Sequence, residues 1–99
     1  MVEIIVTDAA WEDVTTIRNY IARDSERYAE EFIIGFFQRL NILHELPKAG
    51  RVVPEVKRDD LRELIFGSYR IIYRLRTEDA IGIVRVVHGA RLLTTNITL

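Results

Sequence analysis

The sequence predicts an α+β fold of order β-α-α-β-β-β, in which an N-terminal strand and a helical hairpin pack on a mostly antiparallel sheet. Three observations lead there. A short apolar run, Val2–Val6, opens the chain. Two segments with apolar residues at helical spacing follow, separated by a very short link. The C-terminal half then carries runs with period-two alternation, joined by links too short for parallel crossovers.

Val2–Val6 reads as a strand, with Glu3 inside the run. Thr7 or Asp8 offers an oxygen to the free N–H groups of a first helix, expected over about residues 9–22. Ala10, Val14, Ile17 and Ile21 form its apolar stripe, while Glu12 and Asp13 lie in the first turn, where acids favour the helix dipole. Asp24 or Ser25 can cap a second helix, expected over about residues 26–46. Ala29, Phe32, Ile33, Phe36, Leu40 and Leu43 give it a strong stripe, and Phe36 is a core residue on this reading. The short link makes the pair an antiparallel αα-hairpin. Gly35 interrupts the second helix, either at a close crossing or as a tolerated glycine.

Pro47 and Gly50 stop that helix. Residues 51–56 read as a strand or extended arm, with Pro54 favouring an edge or loop. KRDD, at 57–60, is a polar turn. Strands follow at 61–66, 69–76 and 81–88. In the second of these, Tyr69, Ile71, Tyr73 and Leu75 oppose Arg70, Ile72, Arg74 and Arg76. In the third, Ile81, Ile83, Arg85 and Val87 oppose Gly82, Val84, Val86 and His88, unless a β-bulge resets the parity. The helices must cover one sheet face. The other face is left open or partly covered. A single domain over residues 1–91 accounts for all of this. For residues 92–99 two readings stand: packing on the sheet, or ordering by a partner.

The chain has 99 residues, 48% hydrophobic and 29% charged, which suits one globular core. Cysteine is absent, excluding disulfides and thiolate metal sites and fitting a reducing, cytoplasmic setting. The two histidines, His44 and His88, lack metal-ligand spacing, so no metal and no cofactor is expected. No apolar run approaches membrane-spanning length, and no membrane partner is expected. Net charge is −1 but uneven: residues 1–47 hold 4 Arg+Lys against 9 Asp+Glu (−5), residues 48–99 hold 10 against 6 (+4). The overall balance argues against a non-specific nucleic-acid coat, while the second half can present a basic face to an anionic partner.

The ordered segments YIARDSERYAEEF, LHELPKAGRVVPE, LRELIFGSYRIIYRL and VVHGARLL resemble the ParE branch of the RelE/ParE toxin superfamily, over about residues 3–93. The resemblance implies a toxin of a type II toxin–antitoxin module, known from plasmid stabilisation and growth arrest. It implies a cognate antitoxin as partner in a hetero-oligomer, and DNA gyrase as target, inhibited by protein binding. RelE-like relatives instead cleave mRNA on the ribosome, and some members of the branch act only as non-toxic antitoxin-binding modules.

For mRNA cleavage, His88, Arg85, Arg70 and Tyr73 are the candidates, because the reaction needs proton handlers and phosphate-stabilising charge. The departures from the nuclease pattern are that Lys48 and Lys57 are the only lysines and that glycine, not tyrosine, follows His88. For docking, Arg62, Arg70, Arg74, Arg85 and Arg91 are the target-binding candidates, since arginine pairs two-pronged with carboxylate or phosphate, with a salt bridge bracing the sheet as the other reading of Arg62. On this reading no residue is catalytic, and Arg70 and Arg74 can both be removed without loss of fold. Trp11, Tyr20 and Tyr28 flank the helical stripes and are the antitoxin-binding candidates. The sheet edge beside Val52–Val56 is a second surface able to accept an added strand.

Overall fold

A computed structural model describes residues 1–91. Its elements are β1 (Glu3–Val6), α1 (Asp8–Ala22), α2 (Glu26–Leu40), a 3-10 turn (Asn41–His44), β2 (Arg51–Val52), β3 (Leu61–Phe66), β4 (Tyr69–Thr77) and β5 (Ala80–His88). They form one sheet in the order β1-β5-β4-β3-β2. The last four strands pair antiparallel and β1 pairs parallel to β5. The α+β architecture anticipated above is therefore present, with β2 as a short edge strand. The expectations for residues 92–99 lie outside the described residues.

Local chemistry sets the helix ends. The Thr7 hydroxyl accepts from the Ala10 N–H at 3.3 Å and donates to the Ile83 carbonyl at 2.7 Å, so one side chain caps α1 and ties it to β5. Ser25 accepts from the Tyr28 N–H at 3.1 Å and caps α2. The second helix ends earlier than expected: α-geometry stops at Leu40, and a 3-10 turn carries Leu43 into the core. There His44 donates through Nδ1 to the Val2 carbonyl at 2.7 Å, holding the turn against β1. Gly35 faces neither a helix crossing nor open space. A Cβ there would lie 3.2 Å from the Phe66 ring of β3, so a strand packs over this position.

The sheet has a hydrophobic cluster on each face. Ala10, Val14, Phe32, Phe36, Leu40 and Leu43 bury against Leu64, Ile71, Tyr73, Ile81, Ile83 and Val86 on the helix side. On the second face Leu61, Ile72, Val84 and Val87 are covered by Val53 and Val56 from the arm between β2 and β3. Most of residues 51–56 is thus a cover laid over the sheet; only Arg51 and Val52 are strand.

The alternation expected for β4 holds, but that for β5 shifts part-way. Tyr73 pairs with Ile83 and Ile72 with Arg85, leaving Val84 as an extra residue. This bulge turns Val86 toward the helices and moves Arg85 and Val87 to the second face. Without it, a guanidinium would point at the main core. A second irregularity leaves Arg76 unpaired between the Leu75–Ile81 and Thr77–Ala80 pairs.

Candidate functional site

The five arginines proposed for target binding do not form one surface. Arg70 lies on the second face, beneath the arm, with its side chain 6% exposed. Its Nε donates to Glu63 Oε1 at 2.8 Å, and Nη1 and Nη2 reach the two oxygens of Glu55 at 2.6 and 2.8 Å. Nη2 also contacts Glu63. Glu63 is wholly buried and takes a further bond from Arg51 Nε at 2.7 Å. Arg70 is thus a clasp: Glu55 belongs to the arm, Glu63 to β3, and Arg70 Nη1 also donates to the Arg91 carbonyl at 3.2 Å. Hydrogen bonding to Glu55, and secondarily to Glu63, raises the Arg70 pKa above its already high value. The expectation that Arg70 can be removed without harm to the fold is corrected here, because its loss leaves the buried Glu63 carboxylate with Arg51 as its remaining guanidinium.

Arg62 is also a brace. It shares the helix-side face with its cross-strand partner Tyr73, is 14% exposed, and bonds the Gly50 carbonyl at 3.1 Å and Asp59 at 2.7 Å. Arg85 reaches α1, pairing with Asp13 at 2.7 and 3.1 Å. Asp13 simultaneously accepts the Val86 N–H at 2.9 Å, which closes the stretch of β5 that runs past the end of β1. The Asp13 hydrogen bonds raise the Arg85 pKa. Arg91 is exposed. It borders an open cleft of about 480 Å³ with Arg51, Glu55 and Arg70. Arg74 stands apart, 45% exposed, with one long contact of 3.4 Å to Asp60. Asp60 is already gripped at 3.0 and 2.7 Å by Arg58, whose hydrogen bonds hold its carboxyl below the ordinary range.

The four nuclease candidates are dispersed. Tyr73 is fully buried; its hydroxyl donates to the Pro47 carbonyl and accepts the Gly50 N–H, both at 2.8 Å. Burial pushes its pKa up, leaving it a poor proton donor or base near neutrality. It cannot reach the opposite face, where Arg70 is enclosed. His88 pairs with Tyr69 on the helix-side face at the end of β5. It is exposed, meets the Tyr69 ring edge-on at 6.0 Å, and accepts the Ala90 N–H at Nδ1. Arg85 and His88 do lie on opposite faces of their strand. Among the described residues no cluster of three His, Cys, Asp or Glu side chains is arranged to hold a metal ion.

The antitoxin candidates are exposed on the helical hairpin. Trp11 sits against Phe37 with ring centroids 6.0 Å apart, and both are partly open to solvent. Tyr20 and Tyr28 flank the turn between α1 and α2, each with a neighbouring guanidinium over its ring, Arg23 and Arg27 respectively. They close no core edge.

Sequence reading missed the carboxylates. Glu55, Glu63, Asp13 and Asp60 decide which arginine is available. Glu63 left a trace: it interrupts the alternation of Leu61 and Ile65 on a face otherwise apolar at Ile72. The Asp13–Arg85 and Asp60–Arg74 contacts come from tertiary packing and carry no local signature.

Comparison with known proteins fits this fold. Residues 4–93 match the family described as the ParE toxin of the type II toxin–antitoxin system parDE. Toxin RelE2 of Caulobacter vibrioides is 30% identical over 92 residues, covering 93% of this chain and all of that protein. A structure described as the chromosomal ParDE toxin–antitoxin system from P. aeruginosa superposes with a TM-score of 0.72 at 18% identity, over 89% of this chain and 96% of its own, which speaks to the fold. The chain belongs to the ParE toxin family of type II toxin–antitoxin systems.

Proposed function

We propose that this chain acts as the toxin of a type II module by binding DNA gyrase, without bond-breaking chemistry of its own, and that a cognate antitoxin neutralises it. The observation that supports binding over mRNA cleavage is the dispersal of the proton handlers and cations. Tyr73 is sealed in the core, Arg70 and Arg85 are neutralised by carboxylates, and exposed His88 has no second acid–base group beside it among the four candidates. RNA cleavage needs a base, an acid and charge within reach of one phosphate. A binding toxin needs only an accessible, firmly supported surface.

The antitoxin belongs on the helical hairpin in this reading. Trp11 with Phe37, and Tyr20 with Tyr28, offer exposed aromatic area of the kind that dominates binding energy at interfaces. This leaves the arginine-bearing second face for the target. The setting is the cytoplasm, where gyrase works.

The test is a gyrase supercoiling assay with purified chain, alone and with antitoxin. Inhibition relieved by antitoxin is expected. Folded chain that leaves gyrase untouched and cuts mRNA on ribosomes overturns the proposal in favour of the nuclease. Folded chain that does neither, yet binds antitoxin, identifies a non-toxic antitoxin-binding module.

A further inference from the structure

The arm covers only part of the second face. Starting from Leu61 of β3, which the arm still covers, one row of paired positions runs across the uncovered part: Arg74 of β4, Gly82 of β5 and Ile5 of β1. Arg58 and Asp60 stand at its β3 end. Arg76, bulged out of β4, lays its guanidinium over Gly82; a Cβ on that glycine would lie 2.6 Å from Arg76 Nε. Among the described residues no acceptor engages Arg76. Ile5 ends the row, 39% exposed. Arg58 and Arg74 share one carboxylate, Asp60, and Arg76 has no acceptor among the described residues, so the three guanidinium groups outnumber the carboxylate bonded to them by two.

Resting on the reading that the chain acts by binding gyrase, we infer that this row receives the target as an acidic protein segment, carboxylates on Arg74 and Arg76 and an apolar side chain on Ile5. Gly82 is the floor of the site: having no side chain, it lets Arg76 lie flat, with its donors presented to a partner. Arg62 is held by the Gly50 carbonyl and Asp59, and Arg70 and Arg85 are spent on Glu63, Glu55 and Asp13, so none of them serves this way. The partner is protein rather than nucleic acid because the positive strip is short. Glu3 lies on the same face of β1 as Ile5, Glu78 and Asp79 form the adjoining β4–β5 turn, and the chain as a whole is at −1. Strong phosphate-backbone binding draws on more cations than this.

Fluorescence anisotropy with a labelled peptide of alternating aspartate and leucine, and separately with a short labelled DNA duplex, tests the site on the full chain. The peptide is expected to bind, and Arg74→Ala with Arg76→Ala to weaken it roughly tenfold, as two exposed ion pairs allow. Gly82→Ala keeps every charge but evicts Arg76 from its floor, so it is expected to weaken binding several-fold with an unchanged melting temperature. Equal affinity of wild type and the double variant overturns the site. Loss in the double variant with none in Gly82→Ala reduces it to diffuse charge attraction and overturns the assigned geometry. Tighter binding of the duplex than the peptide, lost in the double variant, makes the partner a phosphate backbone and overturns the protein assignment. Gyrase inhibition run on the same proteins separates the two claims. A double variant that still inhibits fully removes the site and leaves the gyrase reading. A wild type that does not inhibit removes that reading, while the peptide titration still judges the site.

Discussion

Arg70 and Arg74 lie four residues apart on one strand and face the same way, yet they occupy opposite circumstances. Around Arg70 the arm closes over the sheet, and Glu55 and Glu63 consume the guanidinium from two sides. Around Arg74 the arm has already turned away, and one shared carboxylate leaves charge to spare. The difference teaches that alternation tells which face an arginine takes but not whether it is available. Availability is decided by carboxylates distant in sequence and by what lies over the sheet.

The sharpest way to break the comparison is at Arg70. Replacement by alanine removes the bonds of Arg70 to Glu55 and leaves buried Glu63 with Arg51 as its remaining guanidinium, and the expected loss is about 3–5 kcal/mol of stability. Urea denaturation measures it; a midpoint equal to wild type makes Arg70 a free surface residue after all. Phe36→Ala is an apolar benchmark of similar size, about 3–5 kcal/mol for a fully buried ring in the main cluster. A much smaller loss there places the ring at a site that collapses easily.

Tyr73→Phe is expected to cost about 1–3 kcal/mol, because Gly50 N–H and the Pro47 carbonyl lose their shared partner. The same residue sets an alkaline limit. Its folded pKa is raised by burial, so its contribution is intact below the unfolded value near 10 and is lost as pH rises through the folded value. Denaturation followed against pH should therefore show wild-type stability falling above about pH 10 and a shallower fall in Tyr73→Phe. Parallel declines in the two proteins would assign the alkaline loss to other groups.

The smallest expected effect is on the open side. Arg74→Ala with Arg76→Ala should change stability by no more than about 0.5 kcal/mol per site, as exposed substitutions do. Thermal melting checks this, and a loss comparable to that of Arg70→Ala would erase the contrast between the two regions.

The element order, both helix caps to within one residue, the alternation of β4 and the core position of Phe36 were legible in the sequence, because each depends on neighbours a few residues away. The early end of α2 was not: Leu43 keeps the apolar spacing while the backbone tightens to reach Val2 and β1. The Val84 bulge was foreseen only as an alternative, since its cause is the fit of Val86 against the helices. The arginine face was the main misreading. Its residue types were visible and its strand positions correct, but Asp13 lies 72 residues from Arg85 and Glu55 lies 15 from Arg70. No periodicity links such pairs.

The most direct measurement is gyrase inhibition titrated with wild type and with the Arg74→Ala, Arg76→Ala protein, after both have been shown folded by melting. Inhibition by wild type that antitoxin relieves, with the variant about tenfold weaker at equal stability, is the predicted result. Wild type that leaves supercoiling unchanged while cutting ribosome-bound mRNA would contradict it.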